Sequence, residues 1–247
     1  MTRKQAIHAA ATVADALGTS LARYKTRASS GPMLAAACLA ATIADCLVAV
    51  VHVAGSHGQA HAPTLARGMI ESMLDLEMLC TNGDYLKPLR LATALGKIKV
   101  GERFLAQATM LSSEQRDAVR ANLREEHSIR DKLKAQGVEV LSIEKKFKRA
   151  PKSAPLWTYY WHFCSPAHND LRALAGRHLR GDHVVLGGTL SDDEFVEILA
   201  ICTAVALNVY EFMPKFLKVT ATQLDPQYKP LGLLLRRMVG APPPHER

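Results

Sequence analysis

The sequence predicts an all-α fold: a multi-helix bundle of about six to eight helices with little or no sheet. Nearly every stretch between turn signals reads as helix, and those stretches are opened and closed by recognisable start and stop residues. Strand material is confined to one short run, "RGDHVVLGGTLS". A hydrophobic share of 48% beside 22% charged residues supplies a sizeable core and excludes disorder for most of the 247 residues.

The first helix is expected over 4–28, with Ile7, Val13, Leu17 and Leu21 on its apolar side, broken by Ser29-Ser30-Gly31-Pro32. Pro32 is well placed to open the second, which runs to about Ala54 and stops at "GSHGQAHAP". A third covers roughly 63–81 and ends at Asn82-Gly83, and a fourth occupies 84–108, weakened by Pro88 and Gly96. Ser112 and Gln115 form a capping box that opens a charged helix ending at Gly137. Its sparse apolar residues Val119, Leu123, Ile129 and Leu133 predict packing by a narrow seam. A basic, linker-like stretch bounded by Pro151 and Pro155 precedes a short helix over Leu156–Cys164, which Pro166 should bend before His168. Ser191 and Glu194 make a second capping box, opening an apolar helix to about Phe212, ended or kinked at Pro214. A last short helix is expected near Leu231–Met238, and 241–247 reads as a disordered tail. No repeat and no sharp boundary is visible, so 1–247 reads as one helical domain, with 87–152 as a subregion that could project from it.

The charge is uneven. Residues 87–152 hold 16 Lys/Arg against 8 Asp/Glu, a surplus equal to the net charge of +8 for the whole chain. Such a segment suits RNA or another polyanion, and equally a solvated helical face. Five cysteines without a CxxC pair read as small buried hydrophobes in a reducing cytosol, with Cys164 the one candidate thiol. Residues 33–54 approach membrane-spanning length. Their alanine content, Asp45 and His52 argue for a buried core helix, so a cytoplasmic protein without membrane contact is expected.

The polar residues that could carry chemistry fall in a few places. Arg67 and Glu71 stand one turn apart in the otherwise apolar "TLARGMIESMLDLEMLC", and ionised groups there need partners. The second unusual stretch, "WTYYWHFCSPAHND", offers Tyr160, Ser165 and His168. Together these five predict a polar centre inside the bundle, with a cost of about 3–5 kcal/mol for Glu71→Ala if it strands Arg67 in the interior. Cys38, Asp45 and His52, spaced by seven, share a line on the second helix. They and Asp75 raise the idea of a carboxylate–histidine metalloprotein, but the Glu-x-x-His pairs of di-metal bundles are missing, and no metal or other cofactor is expected. Gly-x-Ser-x-Gly elbows and phosphate-binding glycine loops are absent too. An arginine separated from a histidine by four to six residues could hold a phosphate while the histidine moves a proton. Arg172 with His178 fits this, as does Arg120 with His127, at a spacing loose enough for chance to produce.

"LARGMIESMLDLEMLC", followed about ninety residues later by "YYWHFCSPAHND", resembles a family of prokaryotic helical proteins known only as a domain of unknown function. Arg67 and Glu71 match its Arg-x-x-x-Glu helix, and Tyr160, Ser165 and His168 match its later Tyr, Ser, His stretch. That family is similar in outline to the HEPN superfamily of helical bundles, which includes defence and toxin ribonucleases as well as inactive binding modules. The resemblance implies a dimer with its active groups at the interface. It departs from the nucleases where Ala173, not a polar residue, follows Arg172.

The leading expectation is a cytosolic binding or interaction module organised by Arg67, Glu71, Tyr160, Ser165 and His168. The alternative is a metal-independent RNA endonuclease using Arg172 and His178 or His168, with 87–152 on the phosphate backbone. A metalloprotein comes third.

Overall fold

The computed structural model describes residues 1–27, 31–54, 56, 58–107, 111–167, 174–175, 178–180, 182–185, 188 and 190–241. Among them nine α-helices carry the fold. They are α1 Arg3–Arg23, α2 Gly31–Val53, α3 Ala62–Thr81, α4 Leu86–Ala106, α5 Ser113–Ala135, α6 Ile143–Arg149, α7 Trp157–Ala167, α8 Asp192–Phe216 and α9 Ala221–Met238. The described sheet is one antiparallel pair, β1 Leu179–Arg180 and β2 His183–Val184, which begins one residue before the run that reads as strand material. The protein is an all-α, multi-helix bundle.

Helix starts follow local chemistry. Capping boxes at Ser112/Gln115 and Ser191/Glu194 open α5 and α8, and two more, Thr2/Gln5 and Thr220/Gln223, open α1 and α9. Gly137 closes α5 at φ 73°, a left-handed conformation that only glycine adopts cheaply.

Three elements depart from expectation. The linker-like stretch contains α6, because Ser142 caps the Lys145 amide and Phe147 is drawn into the core. Pro214 lies in the last turn of α8 and gives up its own backbone bond to the preceding turn, yet the helix continues through Phe216, whose side chain is buried. α9 begins ten residues before the expected Leu231 and contains Pro226 and Pro230, the residues that hid it. Residues 242–247 of the expected tail lie outside the described residues.

The chain divides into two compact units, 1–81 with 147–247, and 82–146. In the first, α8 is the central helix, buried nearly all round and packed against α1, α2, α3 and α9. A polar junction ties three of these: Ser20 of α1 donates to Gln227 Oε1 at 2.7 Å and lies 3.3 Å from the Tyr210 hydroxyl. α2 and α8 are each long and apolar enough to cross a membrane by length and composition alone. α8 meets that test as a core helix. α2 buries only the stripe Ala36, Ala40, Ile43, Ala44, Leu47 and Val50, mainly against α3. It is therefore a half-buried helix where a fully buried one was expected, and Cys38, Asp45 and His52 occupy its exposed line. α3 pairs with α2 on one side and receives α7 on another.

The second unit is the α4–α5 hairpin with a one-turn 3-10 helix at Gly83–Tyr85. Antiparallel pairing is set by contacts such as Lys97 to Glu126 and Gly101 to Leu123. A Cβ on Gly101 would stand 2.8 Å from Leu123 Cδ2, so glycine sets the close approach of the two helices.

Candidate functional site

α3 is amphipathic. Ala66, Met69, Ile70, Met73, Leu74, Leu76 and Leu79 face the core, and Arg67, Glu71 and Asp75, four apart, run along the flank of that face. Helical periodicity therefore puts the charged row at the edge of the core. The Arg67 and Glu71 side chains keep 22% and 41% of their surface exposed. The interior ion pair expected from the apolar run is thus a half-buried one, because the row is offset from the buried stripe.

The fully buried carboxylate of α3 is Glu77, at 1% exposure. Its Oε1 accepts the Lys152 amide at 2.9 Å, and its Oε2 accepts the Ser153 amide at 2.9 Å and the Ser153 hydroxyl at 2.7 Å. Those donors belong to the turn that leads through the 3-10 helix Ala154–Leu156 into α7. Glu77 thereby anchors the start of α7 to α3. Sequence reasoning passed over it, and the available signal was an acid between buried Leu76 and Met78, where a carboxylate must find donors.

So anchored, α7 delivers Tyr160 to the charged row. Its hydroxyl donates to Glu71 Oε1 at 3.0 Å and accepts from Arg67 Nη2 at 3.4 Å, while Arg67 Nη2 also donates to Glu71 Oε1 at 3.0 Å. Each member of this triangle is bonded to both others. The guanidinium also sits 5.4 Å from the Tyr160 ring centre, within cation–π range. Around the ring, Phe147 from α6 packs edge-on at 5.6 Å and Trp161 at 5.8 Å, and Trp157 joins Phe147 at 5.0 Å.

Electrostatics fix the protons. Burial pushes the Tyr160 phenol up to about 12; the Arg67 hydrogen bond pulls it down, and the Glu71 hydrogen bond and charge push it up. Burial works against the Arg67 charge, but the Tyr160 hydrogen bond and the Glu71 charge outweigh it and raise the pKa above the ordinary arginine value. At neutral pH the triangle is a protonated phenol, a carboxylate acceptor and a permanent cation. It can orient and bind; its phenol is no base.

Ser165 is an exposed residue of α7, about 140° around the helix from Tyr160 at 100° per residue. His168 and Arg172 lie outside the described residues. His178 precedes the β1–β2 hairpin, its Nδ1 3.2 Å from the Val185 carbonyl oxygen. Cys164 is buried. Burial raises the thiol pKa of Cys80 to about 12 and that of Cys202 well above the usual range, so both are unreactive near neutrality. Among the described residues no three His, Cys, Asp or Glu side chains are grouped to hold a metal ion.

A family of unknown function, DUF5677, matches residues 33–183, a span that takes in α2 through the β-hairpin and all three members of the triangle. No curated protein and no solved structure matches the chain.

Proposed function

The chain belongs to the DUF5677 family of unknown function, and we propose that it acts in the cytosol as a non-enzymatic binding module, with its recognition edge where α3 meets α7. The observation that carries this reading is the triangle of Arg67, Glu71 and Tyr160. Inside it the Tyr160 phenol and Arg67 Nη2 both donate to Glu71 Oε1, and Arg67 Nη2 also donates to the phenol oxygen, while the Glu71 side chain stays accessible. Beside it, the outer side of α7 presents Trp161 at 53% exposure together with Tyr159 and His162. A fixed charged pair next to an exposed tryptophan suits recognition, since aromatic and arginine anchors dominate binding energies. Five cysteines without a disulfide are in keeping with a reducing compartment.

The test is capture from a cell extract by the wild type and by Glu71→Gln combined with Trp161→Ala, at matched melting temperature. Selective loss with the variant supports the reading. Identical capture by both removes the α3–α7 edge.

A second reading, a HEPN-like metal-independent RNA endonuclease, is favoured by the geometry of His178. With Nδ1–H donating to the Val185 carbonyl, Nε2 is left with a lone pair that can take a proton. Arg172 would hold the phosphate, His168 would assist, and the basic 87–152 region would hold the RNA backbone. Incubation with total RNA in EDTA separates the readings. Cleavage abolished by His178→Ala establishes the nuclease, and intact RNA under all conditions leaves the binding module.

A further inference from the structure

We propose that the open face of the α4–α5 hairpin is a self-association surface, on which a second copy of the chain docks hairpin to hairpin and completes a four-helix bundle. The first reason is where the hairpin stops burying itself. The buried residues of α4 are Leu91, Ala94 and Ile98, none of them in its last two turns before the α4–α5 connection, and that of α5 is Leu133, near its far end. Beyond Ile98, α4 exposes Val100 at 67% and Phe104 at 52%. Single exposed apolar residues are ordinary, but these two line one side of a groove of about 690 Å³ whose other side is Val119 and Leu123 of α5.

The spacing is that of a helix-packing seam. Lys97, Val100, Gly101 and Phe104 stand at i, i+3, i+4 and i+7 on α4, and Val119, Leu123 and Glu126 at i, i+4 and i+7 on the facing helix. Gly96, whose Cβ position meets nothing within 4 Å, lowers the α4 side and gives an incoming helix room to approach.

Charge complementarity identifies the occupant. Of the ionised residues lining the groove, α4 supplies only Lys97, and α5 supplies only Glu125 and Glu126. Lys97 already bridges to Glu126 within one hairpin, so the basic wall fits the acidic wall. A two-fold axis that lays one hairpin over another sets α4 of each copy against α5 of its mate. The pairing the hairpin makes within itself is then repeated between copies. The size is also sufficient. A 23-residue helix is about 34 Å long, and two helix diameters span about 20 Å, so the face offers roughly 700 Å². A specific interface must clear about 1,000 Å² in total, roughly 500 Å² per partner.

Sedimentation of the wild type over a concentration series up to about 100 μM should show a reversible monomer–dimer equilibrium. Phe104→Arg and Val100→Arg, both at exposed positions, should keep the wild-type helix content and shift the protein to monomer, weakening association at least about tenfold. A wild type that stays monomeric throughout overturns the proposal. So does a dimer that persists undiminished in both folded variants. Should one variant fold poorly, the other and the wild-type series still decide.

Discussion

Two carboxylates on α3, Glu71 and Glu77, separate what a single residue can do at the edge of a core from what it does inside one. Glu71 is part exposed, and water can reach the charge that Glu71→Ala leaves on Arg67. The loss should be about 1–2 kcal/mol in urea unfolding, below the figure for a fully buried pair. Glu77→Ala strands the two buried donors of Ser153 and the part-buried Lys152 amide and should cost about 3–5 kcal/mol. Equal losses from the two variants would contradict this ordering. Thr203 poses the opposite case, since its hydroxyl is fully buried and finds no partner among the described residues. Thr203→Val removes an unsatisfied group at constant shape and should be neutral or stabilising by up to about 1 kcal/mol; a clear destabilisation in the same assay would reveal a bond to that hydroxyl. Tyr160 sets a pH window. Below the ordinary tyrosine value of 10 both folded and unfolded chains hold the phenol proton, and its contribution to stability is fully present. From 10 to about 12 the unfolded chain releases the proton and the folded chain keeps it, so stability falls and the contribution is lost above that range. Absorbance titration of wild type against Tyr160→Phe should therefore remove a phenol with a midpoint near 12; loss of one titrating near 10 would contradict the hydrogen-bonded placement. Arg67 and Glu71 were legible in the sequence because charge in an apolar run demands partners. Glu77 was not, because its donors lie in a turn some 75 residues away and are mostly backbone amides, which every residue type carries.

At the level of elements, start signals were more informative than stop signals. The Ser112 and Ser191 boxes mark α5 and α8 because a side-chain cap is written in adjacent residues. The end of α8 depends on tertiary burial of Phe216, which outweighs Pro214 and which no local pattern reports. The start of α9, by contrast, carries the Thr220/Gln223 box and was hidden by Pro226 and Pro230. α6 was hidden for a related reason. Its lysines read as linker, and only the meeting of Phe147 with Trp157 and Tyr160 gives the short helix something to pack on. Phe147→Ala should therefore cost about 3–5 kcal/mol and reduce the near-ultraviolet signal of the tryptophans, while far-ultraviolet helix content stays almost unchanged. A variant with wild-type stability and aromatic spectrum would show that α6 and α7 do not depend on this contact.

On the scale of the whole molecule, the all-α class followed from periodicity and caps, whereas the position of α2 did not. An alanine-rich helix reads alike whether one side or every side is covered, and here one side is covered. The basic surplus of residues 87–152 was similarly ambiguous. In the 82–146 unit Lys87, Lys97, Arg120 and Arg130 are already paired with Asp84, Glu126, Asp117 and Asp131, so those four cations are engaged within the unit. What the chain does achieve at long range is to join residue 71 to residue 160 across α3 and α7, and the functional proposal rests on that junction. A double-mutant cycle with Glu71→Gln and Tyr160→Phe, read by chemical unfolding, tests it most directly. A coupling energy of about 0.5–2 kcal/mol is expected for side chains that share a hydrogen bond, and strictly additive losses would mean that the two segments do not meet.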